Sequence, residues 1–386
     1  MPRNVMLKNT QWSYWERKQF LSKIDYIIIG AGIVGYSTAL QLKNLHPTSK
    51  IMILERGMLP SGASSKNAGF ACFGSASEIY DDILSYGEDV VWETVALRWK
   101  GLQALREQIG DSALQLQTHG SWDLFTSSEL ETFEKVLPKL DHYNVKLKEI
   151  TGEENVYSVD KNVQDRFDFE GIETSFYNRL EGQIDTGSMN EAFYKQAIKE
   201  GVKVLFGCEV LAVDEQQSNA KISTNIGDFE AKKVAICTNG FAHELLDEDV
   251  RPARAQVLIT KAIENLKVEG TFHYQSGYYY FRNIDHRILF GGGRYLDFEG
   301  ETTTKLETSE RLISALTELL GSVILPNITF EIDYTWAGIM GVGETKKPII
   351  KSVSPSVFCG IRLGGMGIAI GTLVGQELAE LMASSS

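Results

Sequence analysis

Cysteine, histidine and proline are scarce in this chain, and no long apolar run interrupts it. Four residues of 386 are Cys, six are His and eight are Pro. The cysteines (Cys72, Cys208, Cys237, Cys359) form no C-x-x-C pair and lie in apolar stretches. They read as reduced core residues, not as a disulfide framework. The scattered histidines give no H-E-x-x-H and no Cys/His ligand spacing, so no metal site is signalled. No segment approaches the roughly 18 uninterrupted apolar residues of a membrane span. The N-terminal stretch sets Trp12, Tyr14 and Trp15 among charges and lacks the apolar segment of a secretory signal, which leads us to expect a cytoplasmic protein. A formal charge of −13 argues against nucleic acid as a partner. With 43% hydrophobic and 23% charged residues the chain has the balance of a globular protein, long enough for two domains.

What is present begins at residue 25. Asp25-Tyr-Ile-Ile-Ile runs into Gly30-Ala31-Gly32-Ile33-Val34-Gly35 and then into the helical pattern Tyr36–Lys43. This is strand, Gly-x-Gly-x-x-Gly turn and helix. Gly30 permits the tight turn, Gly32 lets a pyrophosphate approach bare backbone, and Gly35 lets helix and strand pack closely. The helix N-terminus offers free N–H groups and a positive dipole end to phosphate. A second strand, Lys50–Leu54, ends on Glu55, placed to accept a ribose hydroxyl. A dinucleotide site is the reading.

The rest of the chain alternates in character. Residues 56–70 form a loop rich in Gly, Ser and other small residues. Residues 75–109 carry helical spacing, 113–126 strand-like alternation, and 129–140 a helix. Gly187–Gly201 reads as an amphipathic helix feeding the strand Val202–Phe206, followed by a meander through 209–228 and a buried strand ending on Thr238-Asn239-Gly240. From about 251 to 335 the β-rich runs suggest an antiparallel sheet with one helix near 305–320. The last segment is strand, Gly turn and helix. An α/β fold follows, with one cofactor domain assembled from three segments (20–88, 171–245, 333–386). A substrate domain (89–170 and 246–332) is inserted between them.

The ordered motifs resemble those of FAD-dependent oxidoreductases of the D-amino-acid oxidase superfamily, a group including glycine and sarcosine oxidases. They are Ser13-Tyr-Trp-Glu16, the Gly30–Gly35 turn, Gly62-Ala-Ser-Ser-Lys-Asn67-Ala-Gly69, and Tyr280-Phe-Arg282 with Leu289-Phe-Gly-Gly-Gly293. Trp336-Ala-Gly338 and Gly365-Met-Gly367-Ile368 complete the set. The leader, the Tyr-Phe-Arg run and the Trp-x-Gly segment lean toward the gamma-glutamylputrescine oxidase branch. The resemblance implies a glutathione-reductase-like, Rossmann-type FAD-binding domain beside an α+β substrate domain on a mixed or antiparallel sheet. It also implies oxidation of a C–N bond in an amine or amino acid by hydride transfer to flavin N5, giving an imine, with O2 or another acceptor taking the electrons.

It further implies site residues. Gly30, Ala31, Gly32, Ile33, Val34 and Gly35 would hold the diphosphate, Glu55 and Arg56 the adenosine end, and Val210 the adenine. Ala63, Ser64, Lys66, Asn67, Ala68 and Gly69 would line the path to the ring, with Thr238, Asn239 and Gly240 nearby. Gly365, Met366, Gly367 and Ile368, opening the last helix, would face the flavin pyrimidine. Tyr280, Arg282, Trp336 and Arg362 are the substrate-side candidates.

Two departures matter. Where amino-acid oxidases of this group hold a substrate carboxylate with arginine after the Gly matching Gly338, this chain has Ile339-Met340. Ala369 stands in place of the sarcosine-oxidase-like lysine. A buried carboxylate needs a paired cation, so an α-amino acid requires another anchor. Glu344-Thr-Lys-Lys occupies the place of a flavin-linking cysteine, and noncovalent FAD is expected. The competing readings are an NAD(P)-dependent dehydrogenase, a tRNA-modifying flavoenzyme, and a catalytically silent flavin-binding assembly protein.

Overall fold

The computed structural model describes residues 12–216 and 219–385. Two eight-stranded sheets dominate it. The first has a parallel centre in the order Lys203–Leu205, Ile51–Leu54, Ile24–Ile29, Gly227–Ile236, Val357–Ile361. The antiparallel strand Ile349–Ser352 closes one edge, and the meander Val210–Glu215 and Ala220–Thr224 folds back on Gly227–Ile236. Its central runs are buried on both faces, as parallel strands must be. Ile28, Ile53 and Ala235 point into one core, and Ile27, Ile29, Met52, Leu54 and Val234 into the other.

Two helices cover the first face, Ile33–Leu45 and Gly367–Ser384. They touch backbone to backbone through small residues. A Cβ at Gly375 would lie 2.6 Å from the Val34 carbonyl oxygen, and one at Gly371 would lie 2.9 Å from Ile33 Cγ2. Because the chain enters both helices from strands of the same sheet, both N-termini open at the same end of it.

The second sheet runs Ile332–Val342, Arg251–Thr260, Arg287–Gly292, Tyr279–Ile284, Thr271–Tyr274, Ser121–Thr126, Ile172–Asn178, Tyr157–Asp160. All its pairings are antiparallel except that of Thr271–Tyr274 with Ser121–Thr126. One face carries Trp122, Leu124, Phe272, Phe281 and Phe290, packed with Leu316 and Leu320 of the segment that begins as the helix Glu310–Leu319. The opposite face carries Tyr280, Val257 and Leu289 and meets Ala68 and Phe70 of the Gly/Ser loop.

The helices expected from 75–109 are Ala76–Tyr86 and Glu88–Ile109, split at Gly87, whose φ of +84° a side chain would resist. Ile172–Asn178 and Ile332–Val342 are strands of the second sheet. The sequence pattern had grouped residues 171–245 and 333–386 with the first. Neither strand's local sequence says which sheet receives it.

Candidate active site

The Gly turn has the geometry its sequence implies. Gly30 takes φ +105°, and a Cβ there would lie 3.0 Å from the Cys237 carbonyl oxygen. A Cβ on Gly35 would come within 2.0 Å of the Gly30 carbonyl oxygen, so this glycine serves helix–strand packing. The first turn of the helix then needs partners for its N–H groups. The Ser64 hydroxyl accepts from the Ile33 N–H at 3.0 Å. Glu55 is buried, and its carboxylate accepts from the Ala31 N–H (3.0 Å), the Gly57 N–H (2.9 Å) and the Ser61 hydroxyl (2.7 Å).

The loop that follows is locked by Asn67. Its side-chain amide donates to the Ala63 and Ser64 carbonyls, while its Oδ1 accepts from the Gly69 N–H and the Thr186 hydroxyl. The Trp336 indole donates to the Lys66 carbonyl at 3.0 Å, tying the loop to the second sheet.

These parts border one cavity of about 620 Å³ between the two sheets. It is lined by Gly30, Gly32, Ile33, Val34, Glu55, Arg56, Ala63, Ser64, Lys66, Asn67, Ala68, Gly69, Val210, Thr238 and Asn239. Gly365, Met366, Gly367, Ile368 and Tyr280 complete the sequence-derived candidates on its wall. Arg56 stacks its guanidinium on the Phe241 ring at 3.6 Å. Ala31, Gly35 and Gly240 lie behind the wall; a Cβ on Gly240 would sit 2.3 Å from the Met340 carbonyl oxygen.

Three substrate-side candidates also lie off the wall. Trp336 acts through Lys66, as described. Arg362 faces away from the cavity and is fully engaged: it donates to Asp249, to the Lys347 carbonyl at 3.0 Å and to the Thr345 hydroxyl at 3.1 Å. Its left-handed backbone (φ +62°) turns the side chain toward these groups and away from the helix start. Arg282 is 3% exposed, with its Nε unpartnered and its Nη2 beside Gly69, where a Cβ would come within 3.0 Å. Burial lowers its pKa to about 10, even with Asp185 and Asp285 nearby.

The sequence had not singled out several wall residues. Glu78, Asp81 and Asp82 come from the helix Ala76–Tyr86, at the i, i+3, i+4 spacing of one helical face. Burial opposes the charge of Glu78, but Arg98 (3.2 Å) and Lys346 (3.0 Å) prevail and hold its carboxyl well below the usual range. Lys346 also pairs with Asp82 at 2.6 Å. His273 lies opposite Tyr280 in the sheet, and burial lowers its pKa to about 4, so the imidazole stays neutral. Cys72, Glu181 and His273 bring ligand atoms within 4.8 Å of one another, a grouping that sequence spacing does not announce. Arg294 follows directly on Gly291-Gly-Gly293, Phe298 ends the short turn Arg294–Asp297, and both line the same cavity.

A cavity that receives two helix N-termini, a glycine cradle and the orphaned Thr238 hydroxyl has the donor set a dinucleotide diphosphate and a flavin ring require. The fold and site are those of a dinucleotide-dependent oxidoreductase. The chain belongs to the FAD dependent oxidoreductase (DAO) family, whose model matches residues 25–381. Among curated proteins it is similar to the probable oxidoreductase OrdL of Haemophilus influenzae, at 20% identity over 92% of this chain and 82% of that one. It is also similar to the sarcosine oxidase subunit beta of Rhizobium meliloti, at 21% identity over 90% and 81%. Among solved structures, glycine oxidase from Geobacillus kaustophilus shares the fold with a TM-score of 0.74 at 20% identity, over 94% of this chain and 95% of that chain. No helix among the described residues is long and apolar enough to cross a membrane.

Proposed function

We propose that the chain binds FAD noncovalently across this cavity and oxidises a C–N bond of an amine or amino acid. In this reading the first sheet with its two covering helices is the FAD-binding part, of Rossmann type and drawn from three segments. The second sheet forms the substrate part. The observation that carries the reading is the continuity of one cavity from Glu55, past the starts of both helices, to the Tyr280 face of the second sheet.

Bound FAD would supply the two-electron acceptor for a hydride leaving the substrate carbon, with O2 as the final oxidant. The chain's own residues bind, orient and exclude water. Gly30, Gly32 and the Val34 N–H would receive the diphosphate beside the Ser64 hydroxyl, which accepts from the Ile33 N–H, and Glu55 and Arg56 border the adenosine end. The start of the terminal helix, Gly365–Ile368, opens onto the cavity, where its positive end would favour the electron-rich state of a bound flavin.

Tyr280 presents a phenol whose pKa burial pushes up to about 12, so it stays a neutral donor through physiological pH. Its hydroxyl has no hydrogen-bond partner among the described residues and is available to substrate. Ile339, Met340 and Ala369 make the neighbouring wall apolar, which removes water from the reacting bond. The sarcosine oxidase relative and the glycine oxidase neighbour point to small amino acids or secondary amines as the substrate class.

Acid precipitation of the purified chain tests the cofactor half of this reading. A yellow supernatant over a colourless pellet is the expected result. A yellow pellet would show a covalent flavin, and a colourless preparation that takes up no FAD would overturn the reading.

A further inference from the structure

Cys72, Glu181 and His273 meet beside the cavity, and oxidation of a C–N bond calls for none of them. They come from three stretches of chain. In the short ladder of Phe70–Ala71 with Gly182–Gln183, Ala71 faces Gly182, so Cys72 and Glu181 are the next pair along. His273 reaches them from the strand Thr271–Tyr274 of the second sheet. One ligand atom from each of the three lies within 4.8 Å of the other two.

The polar atoms of this cluster are short of partners. Glu181 is fully buried, and its Oε1 accepts from the Phe73 N–H (2.7 Å) and the Gly74 N–H (2.9 Å). Its Oε2 is buried with no hydrogen-bond partner among the described residues, and so is His273 Nε2. Cys72 is buried, and its Sγ has only long contacts, 3.7 Å to the Thr271 hydroxyl and 3.8 Å to the Gly182 carbonyl. A buried carboxylate oxygen and an imidazole nitrogen left unpaired both cost stability. One shared cation relieves both. Thiolate, carboxylate and neutral imidazole around a divalent ion sum to zero charge, which a buried site tolerates.

The donor set selects the ion. Sulfur with an imidazole nitrogen and one carboxylate oxygen suits Zn2+, which sits at about 2.3 Å from sulfur and about 2.0–2.2 Å from nitrogen and oxygen. Three protein ligands leave the fourth tetrahedral position open. Cys72 and His273 line the cavity while Glu181 lies behind its wall, so the open position faces the cavity. The two N–H groups on Glu181 Oε1 fix the carboxylate's orientation, as hydrogen bonds behind a metal ligand do.

We propose that Cys72, Glu181 and His273 form a Zn2+ site in the cavity wall, with the fourth position open to water or to a molecule in the cavity. On binding, the Cys72 thiol and the Glu181 carboxyl give their protons to solvent, and the ion takes a lone pair each from sulfur, oxygen and nitrogen. The assignment does not depend on what the cavity oxidises, because metal and flavin are counted separately.

The purified protein, with its flavin counted by absorbance, is stripped of metal by a chelator, dialysed and titrated with Co2+ as a spectroscopic stand-in. The wild type should take up one ion per chain. It should show the d–d bands of tetrahedral cobalt, at wavelengths longer than the flavin's, together with thiolate-to-metal charge transfer, and Zn2+ should displace the cobalt and abolish both. Cys72→Ser should lose the charge-transfer band and bind Zn2+ about 100-fold more weakly. Glu181→Gln keeps an acceptor for the Phe73 and Gly74 N–H groups, which guards against a folding defect; it should weaken Zn2+ binding by a similar factor with the ratio of flavin to protein unchanged. Zn2+ should raise the melting temperature of the wild type and of neither variant. A wild type that takes up no ion would overturn the proposal, as would Zn2+ affinity unchanged in both variants, which would place the metal elsewhere.

Discussion

Arg282 is the residue whose surroundings are hardest to explain without a ligand. A nearly fully buried guanidinium without a salt bridge among the described residues costs stability, and the chain retains it beside Gly69, on the loop expected to meet the flavin ring. Arg282→Met should raise the melting temperature of the FAD-free protein by roughly 2 °C while weakening FAD binding and lowering the flavin's midpoint potential by about 30 mV. Calorimetry of both forms and a redox titration check it; an FAD-free variant no more stable than wild type contradicts it. Ser64 makes a smaller claim. Its hydroxyl accepts from the Ile33 N–H, and Ser64→Ala should cost about 1 kcal/mol in denaturant unfolding of the FAD-free chain. Residues of this kind were partly legible from sequence. Glu55, Ser64 and Asn67 stood in motifs with fixed offsets, and all three reach the cavity. Arg362 was misplaced because a guanidinium's direction depends on the left-handed turn that carries it and on Asp249, 113 positions away. Arg294 and Glu78 were missed because neither belongs to a motif; only the closure of the two sheets brings them to one wall.

At the scale of elements, the helices over the first sheet depend on contact without side chains. Gly35→Ala would drive a methyl into the Gly30 carbonyl and should abolish folding or FAD retention. Gly62→Ala, whose Cβ meets no protein atom within 4 Å, should leave folding unchanged. Expression yield and the ratio of FAD to protein after purification check the pair, and the reverse pattern would show that the turn is misread. The strand–turn–helix units at 24–45 and 357–384 were fully legible, since a buried apolar run followed by glycine and a 3.6 period has few other solutions. The second sheet was legible as β structure but not in its order. Strand Ser121–Thr126 sits between Thr271–Tyr274 and Ile172–Asn178, partners some 50 to 150 residues away, and nothing local encodes such pairing.

The whole molecule places two buried carboxyls, Asp123 and Glu181, where the second sheet meets the helices and loops around the cavity. Burial raises both to about 7. Such groups bind a proton in the folded chain at a pH where the unfolded chain has lost it. In the metal-free chain their contribution to stability therefore falls as pH rises from about 4 to 7 and is flat above, while neutral His273, its pKa lowered by burial, contributes the opposite slope between about 4 and 6.5. Asp123→Asn should remove part of this slope and gain about 2 kcal/mol at pH 8 relative to wild type; unfolding curves at pH 5 and pH 8 check the sign. The central claim concerns the cavity between the two sheets, and the most direct test is anaerobic mixing of the FAD-loaded protein with a panel of amino acids and amines. The account predicts bleaching of the flavin by an amine or amino acid of the panel, with the colour restored and hydrogen peroxide formed when air is admitted. A flavin that stays oxidised with every compound, in protein that holds FAD tightly, would contradict it.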